Sequence, residues 1–409
     1  MKRKLPIYLL PNGMRVVIDN IKTVETVSLG MFVRAGSRDE KENKQGVAHF
    51  LEHMIFKGCK TKDDKDVVQN LEDVGGQVNA FTTRESTAFT FKVMKQNCDM
   101  ALKMLANVFM QPKFSKKDLE IERKVILQEI AQDDNQLESV FDNEMTRLAF
   151  GNQSLGQKVI GTKKDIEKIT VQDLYDFMNA NYCSQKCVLC VCGNVDEKKL
   201  LDKIVKLFDK WSYVCPYKIE TSKYIGGNKL IKNNGDQVYV QLTYPAPSYE
   251  NIRAVYTAKL LKMALTGGIT ARLYRKLRTE LGLVYNIKCS YFTFTDNGLF
   301  SIFFVASKNN MLRLMKVLKS ELNTTKNILT SGELKKIKAQ IRAGISFEME
   351  GTQARIIRNA YQILFYNDLY PVQNILDIID SIKESDIEKM AKKIFSSKCS
   401  QIVYGPKLY

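Results

Sequence analysis

The stretch Gly46-Val47-Ala48-His49-Phe50-Leu51-Glu52-His53-Met54-Ile55-Phe56 holds both histidines of a 409-residue chain. Its apolar residues recur at helical spacing, so 48–56 reads as one helix. Positions four apart on a helix share a face about 6 Å apart at Cβ, so His49 and His53 can reach one metal ion. Glu52 lies beside that face. Two histidines placed at random would fall four apart roughly once in 200 trials, and a glutamate between them lowers that about another twentyfold. Zinc takes neutral imidazole and carboxylate ligands, and a catalytic site holds it by three protein groups, leaving one position for water. A carboxylate outside the ligand set can then act as general base. Two structural histidines on an amphipathic helix are the plain alternative. A third ligand must come from elsewhere, and helix 117–132 offers Glu122 and Glu129, two turns apart on one face. One can be the ligand and the other a supporting partner, and the spacing leaves open which.

Outward from this helix, the first half alternates strand and helix signals. Ile7 to Leu10, a Pro-Asn-Gly turn and Met14 to Ile18 read as a hairpin, and Thr26 to Arg34 as a strand. A second helix is expected over Lys65 to Val74, stopped by Gly75-Gly76, then a hairpin of Gln77 to Thr83 and Thr87 to Val93. Helices follow at 99–110, 117–132, 137–149 and 171–180, and a strand at Cys187 to Cys192. Around 213–227 the pattern lapses into turn residues, and the grammar then repeats. Gln237 to Tyr244 parallels Val27 to Arg34, the helix 251–264 parallels 48–56, and Val284 to Phe294 with Leu299 to Val305 form paired strands. Helices fill 310–366, and Gln401 to Tyr404 closes the chain. The expected fold class is α+β, in two homologous halves, each a mostly antiparallel sheet covered by helices. The expected domains are 1–212 with the metal site, a linker at 213–227, and 228–409.

Composition narrows the function classes. Hydrophobic residues make up 44%, and Gly plus Pro number only 30 of 409, which excludes disordered and fibrous chains. The net charge of +17 invites a nucleic-acid reading, but the lysines come as scattered pairs, such as Lys116-Lys117 and Lys392-Lys393, without a basic block. No nucleic-acid partner is expected. No apolar run approaches the roughly 20 residues of a membrane span, and the stretch after Met1-Lys2-Arg3-Lys4 is too short for a signal sequence. Nine cysteines, an odd number in a chain with a large core, suit reduced thiols and a cytoplasmic setting better than a disulfide framework. Cys183, Cys187, Cys190 and Cys192 invite a second metal site. On a strand, however, Cys187 faces away from Cys190 and Cys192, so small buried hydrophobes are expected instead.

The His49-x-x-Glu52-His53 motif with Glu129, 76 residues beyond His53, resembles the inverted zincins, the pitrilysin-type (M16) metallopeptidases. It is most similar to bacterial single-chain relatives of the mitochondrial processing peptidase catalytic subunit. The resemblance spans nearly the whole chain through Leu10-Pro11-Asn12-Gly13-Met14-Arg15-Val16-Val17, Ala35-Gly36-Ser37-Arg38, Gly75-Gly76-Gln77-Val78-Asn79-Ala80, Leu155-Gly156 with Ile160-Gly161, and Leu277 to Tyr285. It implies one Zn2+ per chain on His49, His53 and Glu129, with Glu52 as base and Glu122 supporting the site. It implies that Asn79, Ala80 and Phe81 form an edge strand to which substrate adds as a further strand. Arg278 and Tyr285 would reach from the second half to hold the peptide carbonyl and its developing oxyanion. Glu138 and Asp142 are similar to an acidic pair that receives a substrate arginine, and Phe56 to an aromatic lining the pocket after the cut. Without the resemblance, these three read as a solvated helix face and a core aromatic.

The helix 251–264 has no histidine, so one half would be catalytic and the other degenerate. Gly267-Gly268 is short beside the long glycine-rich loop of the family's non-catalytic subunit, which favours a self-sufficient chain. The implied protein is a zinc endopeptidase acting on unfolded, basic, presequence-like peptides, a half-shell that pairs as a homodimer. The alternatives are a general oligopeptide scavenger and a non-catalytic peptide-binding subunit.

Overall fold

The computed structural model describes residues 4–58, 67–211, 215, 220–324 and 329–406. Part of the expected linker (213, 214 and 216–219), the end of the first half at Ser212, the start of the second helix (65 and 66), Cys59 and residues 1–3 lie outside these.

The first half runs β1 (Tyr8–Leu9), β2 (Arg15–Asn20), β3 (Thr26–Val33), α1 (Val47–Ile55), α2 (Val67–Glu72), β4 (Gln77–Thr82) and β5 (Thr87–Met94). It continues through α3 (Cys98–Met110), α4 (Lys116–Asn135), α5 (Leu137–Phe150), α6 (Lys163–Ile166), α7 (Val171–Asn181), β6 (Cys187–Gly193) and α8 (Glu197–Phe208). The second half holds β7 (Asn228–Lys232), β8 (Gln237–Ala246), α9 (Ile252–Thr266), β9 (Asn286–Thr293) and β10 (Gly298–Ser307). It ends with α10 (Lys308–Asn323), α11 (Ser331–Glu348), α12 (Thr352–Tyr366), α13 (Val372–Ser381), α14 (Glu384–Phe395) and β11 (Ser400–Gly405).

One sheet has the order β1-β2-β6-β3-β5-β4 and the other β7-β11-β8-β10-β9. Setting β1 aside, the chain visits both in the same permutation. In each, the first and last strands pair in parallel and the remaining pairs are antiparallel. Thus β8 takes the place of β3, and the β9–β10 hairpin that of β4–β5.

The central strands read as nearly unbroken apolar runs because both faces of the first sheet are covered. Leu29, Met31 and Leu189 face the main core with Phe50 and Leu105, while Phe32, Val188, Cys190 and Cys192 face Ile356, Ala360 and Ile363. Those last three belong to α12, a helix of the second half. The exchange is reciprocal, since α5 of the first half lays Phe141, Met145 and Phe150 against Phe294, Leu299 and Ile402 of the second sheet.

A clasp of buried charge joins the halves beside these helices. Arg38 donates from Nη1 to Glu85 Oε1 (2.6 Å) and grips both carboxylate oxygens of Asp296 (2.8 and 2.7 Å). Glu85 Oε2 in turn accepts from the Thr295 backbone N–H at 2.9 Å. Such bidentate, charge-assisted contacts are geometrically specific.

Two elements of the sequence reading need correcting. It leaves 367–400 without helices, where α13 and α14 lie, although Pro371 ahead of Val372, Ile375, Leu376 and Ile379 marks a start and an apolar stripe. It also expects only free thiols, whereas Cys183 and Cys215 are joined as a disulfide. Their 32-residue separation is closed by tertiary folding that no local pattern reports. Cys187, Cys190 and Cys192 are free and buried, with Cys187 in one core and the other two in the opposite one, so no cluster of thiolates forms there.

Candidate metal centre

Helix α1 starts where Gly46 turns at φ 88°, a conformation that favours glycine. A Cβ there would stand 2.7 Å from the Ile160 carbonyl oxygen. The Glu40 carboxylate accepts from the backbone N–H groups of Gly46 (2.8 Å) and Ala48 (2.9 Å), satisfying donors that an α-helix leaves unpaired at its start. Burial raises the Glu40 carboxyl well above its ordinary value, against the two backbone bonds. The buried side of α1, with Phe50, Leu51, Met54 and Ile55, anchors it in the core and turns His49, Glu52 and His53 outward. Helix α4 is capped by Ser115, whose Oγ accepts from the Asp118 N–H, and buries Glu122 and Ile126 on the side facing α1.

The two imidazole rings stand 4.7 Å apart, and donor atoms of His49, His53 and Glu129 all lie within 4.8 Å of one another. Glu129 Oε2 is 3.5 Å from His53 Nε2 and 3.9 Å from His49 Nε2. Donors about 2.0–2.2 Å from a tetrahedral ion stand about 3.3–3.6 Å apart, so the two Glu129 pairs are within a few tenths of an ångström of that spacing and the set as a whole within about an ångström. The chemistry of the donors agrees. Burial and the neighbouring His53 push the His49 imidazole down to about 3, so it is neutral and keeps a lone pair. His53 Nδ1 is engaged by Glu122 Oε2 at 2.9 Å, which leaves its Nε2 facing Glu129.

Glu122 is the buried partner of a relay. Its other oxygen takes Lys57 Nζ at 2.8 Å. Burial works to raise the Glu122 carboxyl, but the bonds and charges of Lys57 and His53 hold it below the ordinary carboxylate value. Glu52 points to a different neighbour, with Oε2 accepting from Thr82 Oγ1 at 2.5 Å. Burial raises its carboxyl above the usual range, against that bond and the charge of His53.

Thr82 ends β4, which among the described residues pairs with β5 alone and is an edge of the sheet. Asn79, Ala80 and Phe81 lie on this strand, beside the metal cluster. Phe56 closes α1 half-buried, its ring packed on Phe89 and Phe91, so much of its surface serves the core. Glu138 and Asp142 lie on exposed positions of α5. Loss of water, with Glu138 and Asp133 nearby, raises the Asp142 carboxyl against the opposing charges of Arg84 and Lys288.

Arg278 and Tyr285 are both exposed on the segment leading into β9, the counterpart of β4. Arg278 Nη1 donates to the Val284 carbonyl oxygen at 2.9 Å. Among the described residues, no hydrogen bond or ion pair ties either one to the metal cluster.

Sequence reasoning missed Lys57, Thr82 and Glu40. Lys57 lies just past the end of α1 and meets Glu122 of another helix, so spacing alone did not reveal it. Thr82 and Glu40 reach the site only through the sheet and a loop, and carried no local signal.

A two-sheet α+β chain whose inverted His-x-x-Glu-His helix meets a distal glutamate has the fold and donor set of a metallopeptidase. Residues 15–163 match the Insulinase (Peptidase family M16) domain and residues 168–341 the Peptidase M16 inactive domain. An uncharacterized zinc protease of Rickettsia felis is 30% identical over 406 residues, covering 99% of this chain and 98% of that one. One from Bacillus subtilis is 27% identical, covering 98% of each. The crystal structure of a protease from Helicobacter pylori superposes with a TM-score of 0.89 at 21% identity, covering 98% of this chain and 99% of that one. That of a peptidase M16 inactive domain from Pseudomonas fluorescens gives 0.90 at 18%, covering 99% and 98%. The chain belongs to peptidase family M16.

Proposed function

We propose that the chain is a zinc endopeptidase, and the observation that carries this reading is the convergence of His49, His53 and Glu129 beside a carboxylate outside that set, Glu52, which Thr82 holds. The two Nε2 atoms and the Glu129 carboxylate would hold one Zn2+. When bound, zinc lowers the pKa of a water ligand and polarises a peptide carbonyl. Glu52 would take the proton at a carboxylate oxygen and pass it to the leaving amine, and the burial that raises its affinity for protons favours the first of these duties. Thr82 orients it. Glu122 holds the His53 ring by Nδ1, and Lys57 holds Glu122.

Substrate would add to the free edge of β4 at Asn79, Ala80 and Phe81, drawing affinity from main-chain bonds and therefore requiring an unfolded segment. Phe56 would lend its remaining ring surface to the residue after the cut. Glu138 and Asp142 would take an arginine near the cut, giving preference for basic peptides. Arg278 and Tyr285, both exposed, would complete the site from the second half, and two copies would enclose it as a homodimer. The complete donor set in the first half argues against a non-catalytic role, although residues 168–341 match the M16 inactive domain. The scavenger alternative differs only in lacking arginine preference, and the cations beside Asp142 lend it support.

The test uses the purified chain alone. It should contain one zinc per chain, cleave unstructured peptides, stop on chelation and recover on adding zinc. Cleavage that survives full metal removal would contradict the proposal.

A further inference from the structure

Beyond the metal cluster, a cavity of about 330 Å³ opens in the crevice between the halves. It begins at Thr82, the residue that binds Glu52, and continues past the turn to Arg84. Its far wall is aromatic and comes from the second half, where Tyr249, Phe292, Phe294, Tyr361 and Phe365 converge. Tyr249 stacks on Phe365 at 4.4 Å between centroids, and Tyr361 lies 5.4 Å from Phe365, so these rings form a connected wall. Phe365 is covered by Tyr249 and by the Arg34 guanidinium, 4.3 Å from its ring centre, whereas Tyr249, Phe292 and Tyr361 line the cavity and are each only half-buried. Rigid aromatic faces left open to a cavity are what a bulky apolar side chain displaces water from most favourably.

The near wall places the cavity relative to the substrate. Met145 and Thr146 line it and stand one helical turn beyond Asp142 on α5. Arg84 also lines it, with Nη2 donating to Thr146 Oγ1 at 2.8 Å. Its Nε is buried and has no hydrogen-bond partner.

We infer that this crevice is a peptide subsite for a large aromatic side chain, lying next to the acidic pair and reached by a chain that leaves β4 at Thr82. It rests on the peptidase reading and adds a second determinant to it. A preferred substrate then carries a phenylalanine, tyrosine or tryptophan within a few residues of its arginine, with the aromatic ring against Tyr249 and Tyr361.

The experiment scans Phe against Ala at each position within six residues of the cut in one basic peptide. At one position, Phe should raise kcat/KM by about ten- to hundredfold, the range expected for burying a large apolar side chain. Val159→Trp fills the cavity from the first half and Thr293→Trp from the second, and in either variant that ratio should fall towards one. The same peptide pairs are bound to the Glu52→Gln protein and followed by fluorescence anisotropy, which reads the preference without turnover. Peptides that bind with this preference, sensitive to filling, but are never cut would overturn the peptidase reading and leave the subsite standing. Cleavage or binding without aromatic preference at any position, or a preference that persists in both filled variants, would overturn the subsite.

Discussion

At the scale of single residues, the metal cluster divides labour between two carboxylates on one helix face. Glu129 is near both histidine Nε2 atoms, whereas the polar partners of Glu122 among the described residues are His53 Nδ1 and Lys57. Glu129→Gln should therefore weaken zinc binding most. Glu122→Gln should cost about 10–100-fold, as losses behind a metal ligand do, and Lys57→Met should move affinity the same way by less. Competition with a chromogenic chelator ranks the three, and an equal or reversed order of the glutamates would exchange their roles. That His49 and His53 share a face was legible in the sequence because helical spacing converts directly into distance, whereas the choice of Glu129 over Glu122 came from the family resemblance. Lys57 lies just past the end of α1 and meets Glu122 of another helix, so spacing alone did not reveal it. Glu40 and Thr82 could not be found either, since one looks like surface charge and the other like an ordinary strand end until the chain folds.

At the scale of elements, β4 and α5 set what a substrate meets. The strand is an open edge, and the helix presents Glu138 and Asp142 one turn before the crevice. The net charge of +17 repels basic peptides at long range, but free surface charge is screened beyond about 8 Å at physiological salt, while a close Arg–carboxylate contact is not. Replacing Glu138 by Gln and Asp142 by Asn together should raise KM for arginine-containing peptides about tenfold or more, with a smaller effect on arginine-free ones. Equal losses in steady-state assays of both classes would make the pair structural and favour the scavenger reading. Strands buried on both faces, such as β3 and β6, were easy to read as unbroken apolar runs. What covered their second face was not, because α12 lies more than 150 residues further along the chain. The register of Cys187 against Cys190 and Cys192 was readable from the period of two alone.

At the scale of the whole molecule, the halves repeat one sheet topology and exchange a helix each, so neither has a complete core by itself. An excised 1–212 fragment would expose Val17, Phe32 and Val188 where α12 packs, and its inactivity would report misfolding and nothing about chemistry. Point variants of exposed residues avoid this. Arg278→Ala and Tyr285→Phe should each lower kcat by about 10²–10³ while leaving zinc content and thermal unfolding in place, because a lost oxyanion donor costs that much. Parental rates in steady-state assays would confine the site to the first half. The most direct test of the account compares intact wild-type and Glu52→Gln chains, measuring zinc by elemental analysis and peptide hydrolysis on the same sample. The account predicts one zinc per chain in both and hydrolysis in wild type only, with His49→Ala losing both. A Glu52→Gln chain that keeps its zinc and still hydrolyses peptides near the wild-type rate would contradict it.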